Sequence, residues 1–163
     1  MIYTVNKGNH YSLHLPRIHF GKRNLKCKFK FKDSCWFPLN DKDDSAINKL
    51  VGFSHGRHHK NSIRLGWTPS TTPGEINLFM YIYLKGHRYT HYFDSVVVGV
   101  VYDFEIDLSD NLVTFILSAD YRHKTVASTF YSIPKFDWGY ILFPYIGGRK
   151  PARVDTKIDL TFC

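Results

Sequence analysis

Cysteine is scarce in this chain, and the patterns that would put it to use are missing. Only Cys27, Cys35 and Cys163 occur, an odd number without a Cys-x-x-Cys pair, which argues against a disulfide framework and a structural zinc site. No apolar run approaches the roughly 18 residues of a membrane span, and the opening Met1-Ile2-Tyr3-Thr4 carries no apolar leader core. A soluble, reduced, cytoplasmic protein with no membrane partner is the expectation. Phosphate-cradling glycine loops, the His-Glu-x-x-His helix and the nucleophile elbow are likewise absent. Carboxylates are sparse early: Asp33, Asp41, Asp43 and Asp44 are the four acidic residues among the first 64. A two-metal nuclease or a glycosidase pair is therefore hard to build there. Helical periodicity is also lacking, and the single weak candidate is a turn at residues 44–49 capped by Asp44 or Ser45.

What the chain does contain is positive charge, histidine and aromatic side chains in strand-like patterns. Net charge is +8, and it is uneven. Residues 1–64 hold 13 Lys/Arg against 4 Asp/Glu, whereas residues 65–163 hold 9 against 10. The basic first part points to an anionic partner. With 44% hydrophobic and 22% charged residues, the composition is that of a folded domain.

Period-2 alternation recurs along the chain. Cys27, Phe29 and Phe31 alternate with Lys26, Lys28, Lys30 and Lys32, a lysine row that reads as protection of an edge strand. Tyr11, Leu13 and Leu15 alternate with His10, Ser12 and His14, predicting a strand over 10–15. Tyr102, Phe104, Ile106 and Leu108 alternate with Asp103, Glu105 and Asp107, which reads as a solvent face and not as a metal site. Val154 to Phe162 alternates in the same way. About ten strands, spaced by turn signals, predict an all-β chain: a single antiparallel β-sandwich, jelly-roll-like, spanning residues 1–163.

One stretch concentrates chemistry: His55-Gly56-Arg57-His58-His59-Lys60-Asn61-Ser62-Ile63-Arg64. Its second half reads as a strand with Ile63, Leu65 and Trp67 inward and Ser62 and Arg64 outward. Its first half reads as the loop feeding that strand. Imidazole suits both proton roles near neutral pH, and Lys or Arg stabilises a crowded phosphate. His59, with His58 as substitute, is the expected proton carrier. Lys60 stabilises charge, and His10 or His14 completes the acid–base pair. Arg57, Ser62, Arg64 and Tyr11 are the expected substrate-binding residues. His55, His58 and His59 lack flanking cysteine or acidic ligands, so the expected mechanism uses no metal or cofactor.

In size, charge and this cluster from Ser54 to Arg64, the chain resembles the small, basic, metal-independent ring nucleases found beside type III CRISPR systems and in phages. The resemblance implies a phosphodiesterase that cleaves cyclic oligoadenylate or a small RNA by 2′-OH attack. It also implies a homodimer, since a cyclic ligand is naturally gripped across a two-fold axis. Two other classes fit the same residues. One is a non-catalytic jelly-roll module, a nucleotide sponge or carbohydrate-binding lectin, with tryptophans and tyrosines stacking on base or sugar. The other is an accessory protein acting only through its surface.

Overall fold

The computed structural model describes the chain except residues 41, 131–132 and 134–136, and except the side chains of residues 42 and 43. The sequence also predicts a turn about Asp41, a strand over 125–133 and a break at Pro134, and these fall wholly or in part outside the described residues. Among the described residues, twelve strands form two six-stranded antiparallel sheets, a jelly-roll-like β-sandwich as expected. The first sheet runs in the order β1 (Ile2–Val5), β12 (Thr156–Phe162), β3 (Asn24–Phe31), β8 (Tyr102–Leu108), β9 (Leu112–Ala119) and β10 (Arg122–Thr129). The second runs β2 (Arg17–Phe20), β11 (Trp138–Leu142), β4 (Asn48–Ser54), β5 (Ser62–Pro69), β6 (Glu75–Leu84) and β7 (His87–Val97). Two short 3₁₀ turns, Asp33–Cys35 and Lys42–Ser45, are the helical segments among the described residues. The expected turn at 44–49 is cut short at Ser45, because Asn48 already pairs with Trp67 in β4 and β5. No helix is long and apolar enough to cross a membrane among the described residues.

The apolar halves of the alternating strands meet between the sheets. Phe31 of the first sheet packs on Trp67 of the second with ring centres 5.2 Å apart. Phe93 of the second sheet meets Phe115 of the first edge-on at 5.7 Å, the favoured arrangement for such rings. These rings are fully or almost fully buried, each worth roughly 2 kcal/mol of burial.

Two expectations fail. The lysine row does not guard an edge, because β3 lies between β12 and β8. Its lysines meet carboxylates on those neighbours: Lys26 reaches Glu105 at 3.0 Å, Lys28 reaches Asp103 at 3.0 Å, and Lys30 and Lys32 share Asp159 at 3.4 and 2.8 Å. Residues 10–15 do not form a strand. Tyr11 makes one isolated bridge to Tyr145, and Leu13 and Leu15 are more than four-fifths exposed. The segment is instead hung on the chain after β11, with Ser12 N donating to the Pro144 carbonyl and Ile146 N to the His10 carbonyl.

Candidate functional site

Whereas the lysine row of the first sheet meets that sheet's own carboxylates, the outer face of the second carries Lys49, Arg64 and Arg88. Strand alternation and register put three rows of side chains there. One runs Tyr140, Ser54, Ser62, Tyr83, Arg88. The next runs Leu142, Gly52, Arg64, Tyr81, Thr90. The third holds Lys49, Gly66, Phe79 and Tyr92. The face is covered from two sides. The segment of residues 11–16 lies along one side, and the β4–β5 loop folds over the other. That loop is pinned: His55 N donates to the Asn61 carbonyl, Asn61 Oδ1 accepts from Lys85 N, and Gly86 N donates to the Lys60 carbonyl. Gly56, at φ +60°, supplies the left-handed residue that lets the loop turn over the sheet.

The cover leaves a groove with two connected parts. The larger is about 450 Å³ and is lined by Tyr11, His14, His58, Arg64 and Tyr145, among others. The smaller, about 80 Å³, is lined by Lys49, His58, His59, Ser62, Arg64, Tyr81, Tyr83 and Tyr145. His58, Arg64 and Tyr145 belong to both, and no aspartate or glutamate lines either among the described residues.

Arg64 forms the floor. Its side chain is buried, Nη2 donates to the Phe143 carbonyl at 3.4 Å, and Nε has no partner among the described residues. Burial pushes its guanidinium down to about 10. It fits there because Gly52 lies opposite without a side chain. Lys49 sits beside it with Nζ 4.4 Å from the Tyr81 ring centre and 5.8 Å from that of Tyr145, donating to the Ile47 carbonyl at 2.7 Å. Burial first, then the charges of Arg64 and Arg88, push this amine down to about 8. Burial, then the neighbouring Tyr83 phenol, pushes Tyr81 up, so it remains protonated at neutral pH. The His58 and His59 rings lie 4.4 Å apart, and His59 meets Tyr83 edge-on at 5.5 Å. Partial burial against the groove, then His59, pushes His58 down, leaving a neutral imidazole as proton acceptor.

Of the residues expected from sequence, Tyr11, His14, His58, His59, Ser62 and Arg64 line this groove. His10 stands behind it, its ring stacked on Tyr145 and its Nδ1 on the Ile146 carbonyl at 2.9 Å. Arg57 and Lys60 lie exposed on the loop and line neither part. His55 directs Nδ1 to the Trp138 carbonyl at 2.6 Å, and no three metal-ligating side chains converge among the described residues. Sequence reading missed Lys49, Tyr81, Tyr83 and Tyr145. The available signals were a lysine opening an apolar strand and two tyrosines two apart in β6.

No family model matches the chain, and no curated protein does. Solved structures do. The chain is similar in fold to an alginate lyase from Klebsiella pneumoniae, with a TM-score of 0.64 and 8% identity, over 86% of this chain and 59% of that one. It thus spans less than two thirds of the lyase's length. It is also similar to a functionally unknown protein from Saccharomyces cerevisiae, with a TM-score of 0.58 and 10% identity, over 99% of this chain and 87% of that one. At these identities the likeness establishes the sandwich and assigns no role to any residue.

Proposed function

We propose that this protein binds an acidic polysaccharide in the groove and cleaves it by β-elimination. Arg64 carries the reading. A buried guanidinium with an unpartnered Nε and no carboxylate in its groove among the described residues bears a desolvation cost that an incoming anion offsets. A carboxylate matches the guanidinium fork. Held there, the carboxylate makes the adjacent C–H acidic. Neutral His58 takes that proton, the freed electron pair becomes a C=C bond, and the C–O bond to the neighbouring sugar breaks. The Tyr81 phenol gives its proton to the leaving oxygen, and Lys49 steadies the negative charge that builds between. The fold likeness to an alginate lyase adds support.

A second reading is favoured by the adjacent His58 and His59 rings. A paired acid and base beside Arg64 suits metal-independent cleavage of cyclic oligoadenylate or small RNA by 2′-OH attack, in a homodimer. The free cysteines Cys27, Cys35 and Cys163 fit a reducing cytoplasm, where such nucleotides occur.

One panel decides. The protein is incubated with polyuronates, cyclic oligoadenylates and linear RNA, with and without EDTA. Ultraviolet absorbance of an unsaturated sugar end supports β-elimination, and a 2′,3′-cyclic phosphate product supports the second reading. Binding without turnover reduces the protein to a binding module. Failure to bind any of them sinks both.

A further inference from the structure

The groove occupies only part of the outer face, and the rest is aromatic. Continuing the first row past Tyr140 leads to Ile18 on β2, and the position beside it pairs Trp138 with Phe20. Trp138, Tyr140, Ile18 and Phe20 therefore point to the same side of the sheet as Ser62, Arg64 and Tyr83. These side chains are not spent on the core: Phe20 is 80% exposed, Ile18 64% and Trp138 45%. Leu13 and Leu15, on the segment walling the groove, extend the apolar surface toward it. Contiguous exposed apolar side chains of this kind mark a binding surface.

Trp138 is also held in place. Its carbonyl meets His55 Nδ1 at 2.6 Å, its ring meets the His55 ring edge-on at 5.5 Å, and Tyr140 flanks it at 6.1 Å. His55 opens the loop that carries His58 and His59, so the aromatic patch and the groove share one support. From Ile18 to Arg88 the row crosses six strands, five spacings of about 4.8 Å, or about 24 Å in all. That is far longer than one sugar ring.

We infer that Trp138, Phe20 and Tyr140 form an aromatic subsite that stacks on the apolar ring faces of the same acidic glycan chain whose carboxylate lies on Arg64. This rests on the glycan reading above and adds to it that the ligand is a chain laid across the strands. Two features select that occupant. The patch lies on the same face of the sheet as the cationic groove and shares with it the row Tyr140, Ser54, Ser62, Tyr83, whose two serines are themselves buried. Its composition also complements a chain with anionic edges and apolar sugar faces. The aromatic rings supply contact area at low entropy cost.

The test is a titration of oligouronates of graded length, followed by tryptophan fluorescence and by calorimetry. Trp67 is buried and half-buried Trp36 packs against the core with its Nε1 donating to the Ser70 carbonyl, so the quenching that is lost in Trp138→Ala is the part that reports on Trp138. In the unmodified protein affinity rises with length until the patch is reached. Trp138→Ala, and independently Phe20→Ser at a position too exposed to matter for folding, remove that rise, lowering affinity for long oligomers by about tenfold. They leave the shortest binding oligomer unaffected. Unchanged affinity at every length in both variants overturns the subsite while the groove reading stands. Absence of binding at any length in the unmodified protein overturns the groove reading and the subsite together. A dimer that dissociates in Phe20→Ser, with glycan affinity unchanged, assigns the patch to self-association and also overturns the subsite.

Discussion

Gly52 and Arg64 face each other across β4 and β5, and a Cβ placed on Gly52 would lie 2.6 Å from the Cα of Arg64 and 2.9 Å from its Cγ. It would also stand 2.1 Å from the Ile63 carbonyl. The missing side chain on one strand leaves room for the backbone of the other and for the root of the buried Arg64 side chain. Strand, packing and proposed chemistry meet in that one pair.

The first prediction follows from it. Gly52→Ala must part β4 from β5, because the added methyl meets the β5 backbone at Ile63 and Arg64, and the root of the Arg64 side chain moves with its strand. Overpacking of this kind typically costs about 1–3 kcal/mol. Thermal unfolding is the measurement, and a midpoint unchanged from the parent protein would show that the strands absorb the methyl. Ligand affinity falls with stability, because the displaced atom belongs to the site.

Arg64 itself gives the opposite pattern. Its guanidinium is buried without a carboxylate partner among the described residues, so the folded state bears a desolvation cost that the unfolded chain does not. Arg64→Met keeps the aliphatic stem and removes the charge. The variant melts higher than the parent and loses anion binding, the trade-off expected of a residue kept for function. A variant that melts lower would make Arg64 a structural cation held by the Phe143 carbonyl.

The strand faces were legible in the sequence, because period-2 alternation needs no knowledge of partners. Ser62 and Arg64 were assigned to one face on that basis, and they share it. Where the reading failed, a distant partner decided. The lysines of β3 look like an edge until β8 and β12, far along the chain, bring Glu105, Asp103 and Asp159 opposite them. Residues 10–15 alternate as a strand should, yet single main-chain bonds to Pro144 and Ile146 hold them as a wall instead. Lys49 and Tyr81 escaped notice because a lysine or tyrosine in a strand reads as ordinary, and only the fold shows them flanking Arg64. Gly52, inside an apolar strand, was the one local sign that something must approach closely there.

Lys49 predicts a window of pH dependence. Its amine is pushed from 10.5 down to about 8 by burial, then by Arg64 and Arg88. Below about pH 8 both folded and unfolded chains carry the proton, and the folded state bears the full cost of keeping it, roughly 3 kcal/mol. Between about 8 and 10.5 the folded amine is neutral while the unfolded one is still charged, so stability rises with pH. The check is denaturant unfolding of the parent and Lys49→Met across this range. The variant is the more stable at pH 7, and the difference closes toward pH 10. A constant difference would mean that Lys49 titrates as it does in water.

The last prediction concerns the rate. If His58 is the acceptor, turnover falls as pH drops below the ordinary imidazole value of 6.5, because its own value is pushed lower by partial burial and by His59. If charged Lys49 steadies the developing anion, turnover falls again as pH rises past about 8. The profile is then a bell whose two limbs belong to different residues, and each limb can be moved separately. His58→Gln abolishes the acid limb and lowers turnover by about 10²–10⁴-fold, with binding retained through Arg64. Lys49→Arg keeps a cation that does not titrate in this range, so the alkaline limb disappears while the acid limb stays. The measurement is kcat/KM against pH for the parent and both variants on whichever substrate the panel identifies. An acid limb that persists in His58→Gln would transfer the proton role to His59, its neighbour at 4.4 Å. A profile unchanged in all three proteins would place the titrating groups outside this groove.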